Sequence, residues 1–251
     1  MLYFWEKTFS LMEIEICVAS LTSIKNAADA GADRVELCAA LEVGGLTPSF
    51  GLIQAAVALD LLPIHCLIRP RSGNFSYTDS ELEIFQADVL QAKQLGCAAI
   101  VVGVLNAHFE VDVKAMKTIL EIASPMKVVF HRAFDVIPNP FIALEQLIDL
   151  GVDTILTSGQ KETAFEGRSC LVELQERSQG RITIMPGSGV NASNCEWYKN
   201  QNFKAIHLSG AKALPQLPIP VGVNAEISFL SQIQKESDVE QIKRVVEIIK
   251  G

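Results

Sequence analysis

Basic residues are the scarce class in this 251-residue chain: Lys and Arg total 21 against 29 Asp and Glu, a net charge of −8. Nucleic acid and anionic membranes both demand dense Lys/Arg on one face, so neither is an expected partner. Long apolar runs are missing as well. The longest, around 97–105, falls far short of the ~20 residues that span a bilayer. The six cysteines, at 17, 38, 66, 97, 170 and 195, form no CxxC pair and are scattered, which excludes a disulfide framework and a zinc knuckle. Residues 1–11 lack the basic start, apolar middle and small-residue cleavage site of a signal peptide. They read as a poorly ordered extension before Met12, itself a possible start, and the expected location is the cytoplasm.

What the chain does have is a core's worth of apolar residues, 49% of the total, arranged in short β-type runs that end in polar punctuation. Runs begin near 12, 33, 63, 97, 126, 152, 181 and 203. Between them, helical periodicity covers 22–30, 48–61, 79–95, 112–123, 140–150, 167–178, 191–201 and 226–250. In 82–95, Leu82, Phe85, Val89, Ala92 and Leu95 recur at three and four, marking one buried face. Asn139-Pro140 has the form of an N-cap and first-turn proline, and Asp79 is a second candidate cap. Gly31, Gly96 and Gly151 stand where helices must stop before a strand. Residues 214–224, rich in proline, read as a link from the last strand to the C-terminal helix.

Eight strand–helix units with short connections predict an α/β chain, a single-domain (β/α)8 TIM barrel over 12–251, with an open doubly wound sheet as the alternative. In such a barrel, function gathers at the C-terminal rim of the strands. Strand alternation gives each strand two faces. Met12, Ile14, Ile16 and Val18 belong under the helices. Glu13, Glu15 and Cys17 then point into the barrel, with Arg34, Glu36 and Cys38 on the second strand, His65, Leu67 and Arg69 on the third, and Ala205, His207 and Ser209 on the eighth.

Several of these inward groups carry chemistry. Glu36 and Arg69 lie on neighbouring strands and form either an interior ion pair or a general acid/base beside an anion-binding arginine. Arg71, in the following loop, is a second clamp. His131, Arg132 and Asp135 close the fifth strand, with His131 and Asp135 as candidate catalytic groups. Gly187, Gly189 and Ser209 follow the last two strands, where barrels often hold a phosphate; the alternative is ordinary turn chemistry. The turn at 157–161 can add hydroxyls. Cys17 and Cys38 end adjacent strands, which lie ~4.8 Å apart, and either share a soft ion such as Cu(I) or are inert buried thiols. No organic cofactor is expected.

At these residues the chain resembles a known family. The blocks GADRVELCAALEVGGLTPS (31–49), IRPRSGNFSYTDSE (68–81), VVFHRAFD (128–135), LTSGQK (156–161) and PGSGV (186–190) are similar to those of the CutC family, in a single order over about 12–212. The resemblance implies a cytoplasmic (β/α)8 barrel associated with copper homeostasis, forming homodimers or larger assemblies. Cys17 and Cys38 match the family's proposed Cu(I) ligands, and Glu36, Arg69, His131, Arg132 and Asp135 match its polar rim. Soft Cu(I) prefers sulfur, so the hard rim also fits an enzyme acting on a small anionic or phosphorylated metabolite. Copper ion and small anionic metabolite are thus the two expected ligands.

Overall fold

The computed structural model describes residues 12–216, 218–224, 226, 227 and 233–251; the extension 1–11 lies outside the described residues. Eight parallel strands wrap into a nearly closed barrel: β1 (Glu13–Val18), β2 (Arg34–Leu37), β3 (Ile64–Leu67), β4 (Ala99–Val102), β5 (Lys127–Phe130), β6 (Thr154–Thr157), β7 (Thr183–Pro186) and β8 (Ala205–Leu208). Hydrogen-bonded neighbours run β7-β6-β5-β4-β3-β2-β1-β8, so β8 returns to β1. Among the described residues the seam between β7 and β8 carries no ladder, although Gly187 after β7 lies against the His207 side chain on β8. The predicted starts agree with these strands to within about two residues.

Seven helices fill the crossovers: α1 (Leu21–Asp29), α2 (Phe50–Ala58), α3 (Asp79–Leu95), α4 (Val113–Ala123), α5 (Pro140–Leu150), α6 (Arg168–Ser178) and α7 (Cys195–Asn200). Asn139 caps α5 by accepting from the Phe141 and Ile142 N–H groups, and Gly151 ends it at φ +81°, a conformation a side chain would strain. For α3 the cap is Thr78 rather than Asp79. Thr78 forms a capping box with Glu81, which satisfies two free N–H groups where a lone aspartate would satisfy one.

Two layers of core follow from the alternation. Ile14, Ile16 and Val18 pack outward in the large core under the helices. Cys38, Leu67, Val101, Val129, Leu156, Met185 and Ala205 form a separate small core inside the barrel, with Cys17 against it. The polar faces of β1, β2 and β8 therefore point inward, as the alternation requires, while the inner core is completed by apolar residues of β3 to β7.

The C-terminal part departs from the expected direct link and long helix. After β8, β9 (Ala211–Ala213) pairs antiparallel with β10 (Lys235–Ser237), and only then does α8 (Val239–Lys250) begin. Asp238 caps α8 through the Gln241 N–H, while the Ser237 N–H donates to Ser23 Oγ at 3.1 Å. Those bonds hold 235–237 extended, so the helical periodicity takes effect only from 239. Part of the expected helix, 228–232, lies outside the described residues. Similarly α7 starts at Cys195 rather than 191, because the Asn191 N–H and the Asn194 side chain close a turn on each other at 2.9 Å.

Candidate functional site

A cavity of ≈ 850 Å³ opens at the C-terminal rim of the strands, between Cys17, Glu36, Cys38, Arg69, His131 and His207. Pairing register builds its first wall. Cys17 stands opposite Glu36 and Glu36 opposite His65, while Glu15, one layer deeper, stands opposite both Arg34 and His207. Glu15 is fully buried. Arg34 Nε donates to its Oε2 at 2.7 Å, and His207 Nδ1 lies 2.9 Å from Oε1. His65 Nδ1 is 2.9 Å from Oε2 but out of line for a hydrogen bond. Burial opposes charge on Glu15, but the bond from His207, the His65 imidazole and the Arg34 guanidinium outweigh it and hold its carboxyl well below the usual range.

The rim layer above it joins two thiols. Cys17 Sγ is 3.8 Å from Cys38 Sγ, and together with a Glu36 carboxylate oxygen these atoms all lie within 4.8 Å of one another. Cys17 is half-buried and Cys38 fully buried. The hydrogen bond between them lowers the Cys17 thiol, against burial and with help from His207, and raises Cys38. The pair therefore favours holding its first negative charge on Cys17. Burial opposes charge on His207, but Cys17, Glu15 and Glu36 outweigh it and raise the ring well above its ordinary value, favouring its protonated form. Burial, and then the Cys17 charge, push Glu36 up to about 8.

A second wall is built by the ends of β3 and β5. Arg69 is buried and its guanidinium donates to the carbonyls of Val43 (2.9 Å), Gly45 (2.8 Å) and Gly73 (3.0 Å), with its Cζ 5.1 Å from the Phe75 ring centre. The expected Glu36–Arg69 ion pair is not formed among the described residues. Glu36 faces His207 at 3.6 Å instead, because it lies in the strand layer while Arg69 stands past the end of β3 at the level of the loops. His131 is buried. Its Nδ1 accepts from the Ala133 N–H at 3.1 Å, and burial with the Arg69 charge holds the ring down to about 3, so it is neutral.

Of the other expected residues, Gly189 and Ser209 line the cavity, as does Arg132, whereas Arg71, Asp135 and Gly187 do not. Arg71 is engaged with Glu81, with the Ser76 carbonyl at 2.7 Å and with the Tyr77 ring. Asp135 accepts from Arg132 Nε, the Ser158 hydroxyl, and the Ser158 and Gln160 N–H groups, tying the 157–161 turn to the 3-10 turn over Arg132–Val136. The Gly187 N–H donates to the Thr157 carbonyl at 3.0 Å. Glu15 and His207 were expected inside the barrel but not as site residues. The signal that marks them is cross-strand: the register sets His207 opposite Glu15, one layer below Cys17.

The family model described as CutC family matches residues 12–212. A CutC family protein of Pasteurella multocida (strain Pm70) is 44% identical over 200 residues, 79% of this chain and 82% of that protein. The chain belongs to the CutC family. A second CutC relative, from Glaesserella parasuis serovar 5, is 42% identical over 241 residues and covers 95% of this chain and 99% of its own. Among solved structures, CutC from Streptococcus agalactiae superposes with a TM-score of 0.75 at 36% identity, covering 79% of this chain and 99% of its own. The CutC match contains both walls of the cavity. No helix among the described residues is long and apolar enough to cross a membrane.

Proposed function

We propose that this CutC-family barrel binds Cu(I) between Cys17 and Cys38 and serves copper homeostasis, the role for which the Streptococcus agalactiae relative is named. The observation that carries the reading is the 3.8 Å separation of the two sulfurs at the mouth of a cavity. Metal–thiolate bonds are about 2.3 Å long, so one ion reaches both sulfurs with little side-chain adjustment. Thiolates select soft ions, and Cys17 is held in its thiolate form by Cys38 and His207. Glu36 offers the trio only a hard carboxylate oxygen, which a soft ion leaves for sulfur. Six free cysteines fit a reducing cytoplasm, which is where we place the protein, as a homodimer or larger homo-oligomer that native mass spectrometry would count.

The test is an anaerobic Cu(I) titration against a competing chelator. The native protein takes up one ion per subunit, and Cys17→Ser and Cys38→Ser each abolish tight uptake. Unchanged stoichiometry and affinity in the double variant would refute the site.

A further inference from the structure

The wall formed at the ends of β3 and β5 holds two buried donors with nothing to donate to. His131 Nε2 and Arg69 Nε are both enclosed and both lack a hydrogen-bond partner, and both residues line the cavity. Because Nδ1 of His131 accepts the Ala133 N–H, the neutral ring carries its proton on Nε2. Unpaired buried donors are costly, and each needs an acceptor. Arg69 adds a second demand. Its guanidinium meets carbonyls, the Phe75 ring and the neighbouring Tyr77 hydroxyl, which is neutral, and no carboxylate lies within ion-pairing distance of it among the described residues. A buried cation without a counter-ion is costly in the same way.

We infer that the Arg69–His131 wall is a binding subsite for the oxyanion group of a small organic molecule, built from residues other than the thiol pair in the same cavity. An oxyanion is acceptor-only, so once a small side-chain adjustment opens these enclosed N–H groups to the cavity it answers both the missing acceptors and the unbalanced charge, where a neutral carbonyl answers only the first need and an amine neither. The cavity has the volume of a metabolite pocket rather than of an inorganic ion alone. Phe75, whose ring centre is 5.0 Å from that of His131, supplies an apolar face beside the anionic group. Carboxylate and phosphate share this chemistry, and the probes separate them.

The experiment titrates reduced, metal-free protein with inorganic phosphate and, separately, with succinate, by calorimetry and by the 15N resonance of His131 Nε2. Saturable binding of either, with movement of that resonance, is the expected result, and the tighter probe names the group. His131→Leu should bind about ten- to a hundredfold more weakly, the usual loss for a hydrogen bond to a charged group. Cys17→Ser/Cys38→Ser should bind the anion as the native protein does, so this inference and the copper reading fail independently. Neither probe binding more tightly than about 10 mM, on a scale where 1 mM is only about 4 kcal/mol, overturns it. So does a native titration that leaves the His131 resonance unmoved, whatever the variant's stability.

Discussion

His207 Nδ1 lies 2.9 Å from Glu15 Oε1, which sets a ring whose protonated form is favoured on a fully buried carboxylate one layer beneath the Cys17 thiol. The arrangement makes Glu15 the counter-ion of the barrel floor. Arg34 Nε is bonded to the same carboxylate at 2.7 Å.

Replacing Glu15 should therefore be severe. Glu15→Gln removes the buried carboxylate that Arg34 and His207 share, leaving Arg34 only the exposed Glu13, and is expected to cost about 3–5 kcal/mol, read from urea unfolding. Glu13 also pairs with Arg34, but its side chain is 56% exposed. Glu13→Gln should cost less than about 1 kcal/mol, as exposed pairs do. Equal losses at the two positions would show that the floor does not depend on Glu15.

Cys17 should alkylate at unusually low pH. Its thiol is lowered by Cys38 and His207, so the thiolate persists as pH falls below the ~8.5 of a free cysteine. Peptide mass spectrometry after iodoacetamide treatment should show Cys17 modified first and with its inflection well below that value. Half-buried Cys170, raised by burial, should lag at neutral pH. His207→Gln should move the Cys17 inflection back toward the free value.

The contrast between Glu15 and Arg69 shows how far residue patterns reach. Period-two alternation in 12–18 and 33–38 correctly assigned faces, because the pleat alone decides them. Alternation carries no information about depth. The stagger of the strands puts Glu15 level with Arg34 and His207, and puts Arg69 above Glu36 among the loop carbonyls, so adjacency of strands predicted the wrong partner. Cys17 and Cys38 were legible because both are the last inward residues of neighbouring strands. β10 was not, since Lys235–Ser237 is extended through bonds to β9 and Ser23, far away in sequence.

Burial of neutral His131 ties stability to pH. Its folded value, about 3, lies below the ordinary 6.5, so the unfolded chain binds the extra proton first. Its contribution is complete above about pH 6.5 and is lost as pH falls from there toward 3, at about 1.4 kcal/mol per unit within that window. Moving from pH 7 to pH 5 should remove about 2 kcal/mol through this group. His131→Gln, which does not titrate, should show a smaller drop in urea midpoint between those two pH values.

Arg69 fastens two loops at once through Val43, Gly45 and Gly73. Arg69→Lys keeps the charge but loses the planar fork, so about 1–3 kcal/mol of loop stability should go with it. Hydrogen exchange should quicken at 41–46 and 72–75 together while α4 and α5 stay protected. Faster exchange at only one of the two loops would argue that Arg69 is not their common fastening.

Gly103, just after β4, is the unremarked residue that lets His131 lie where it does. A Cβ there would come 2.2 Å from His131 Cε1, 2.3 Å from Nδ1 and 2.9 Å from the Ala133 Cβ. None of these is the free end of a flexible chain, because the ring is fixed by the Ala133 N–H and by Phe75. Gly103→Ala should thus push the imidazole off its site and cost about 1–3 kcal/mol by overpacking. The decisive readout is positional. The His131 15N signals should shift and its pH dependence should return toward an ordinary histidine, while Cys17 keeps its low-pH alkylation. If His131 instead keeps its depressed titration in the Gly103→Ala protein, the contact with Gly103 does not hold the ring, and the β4 end has room that its backbone does not show.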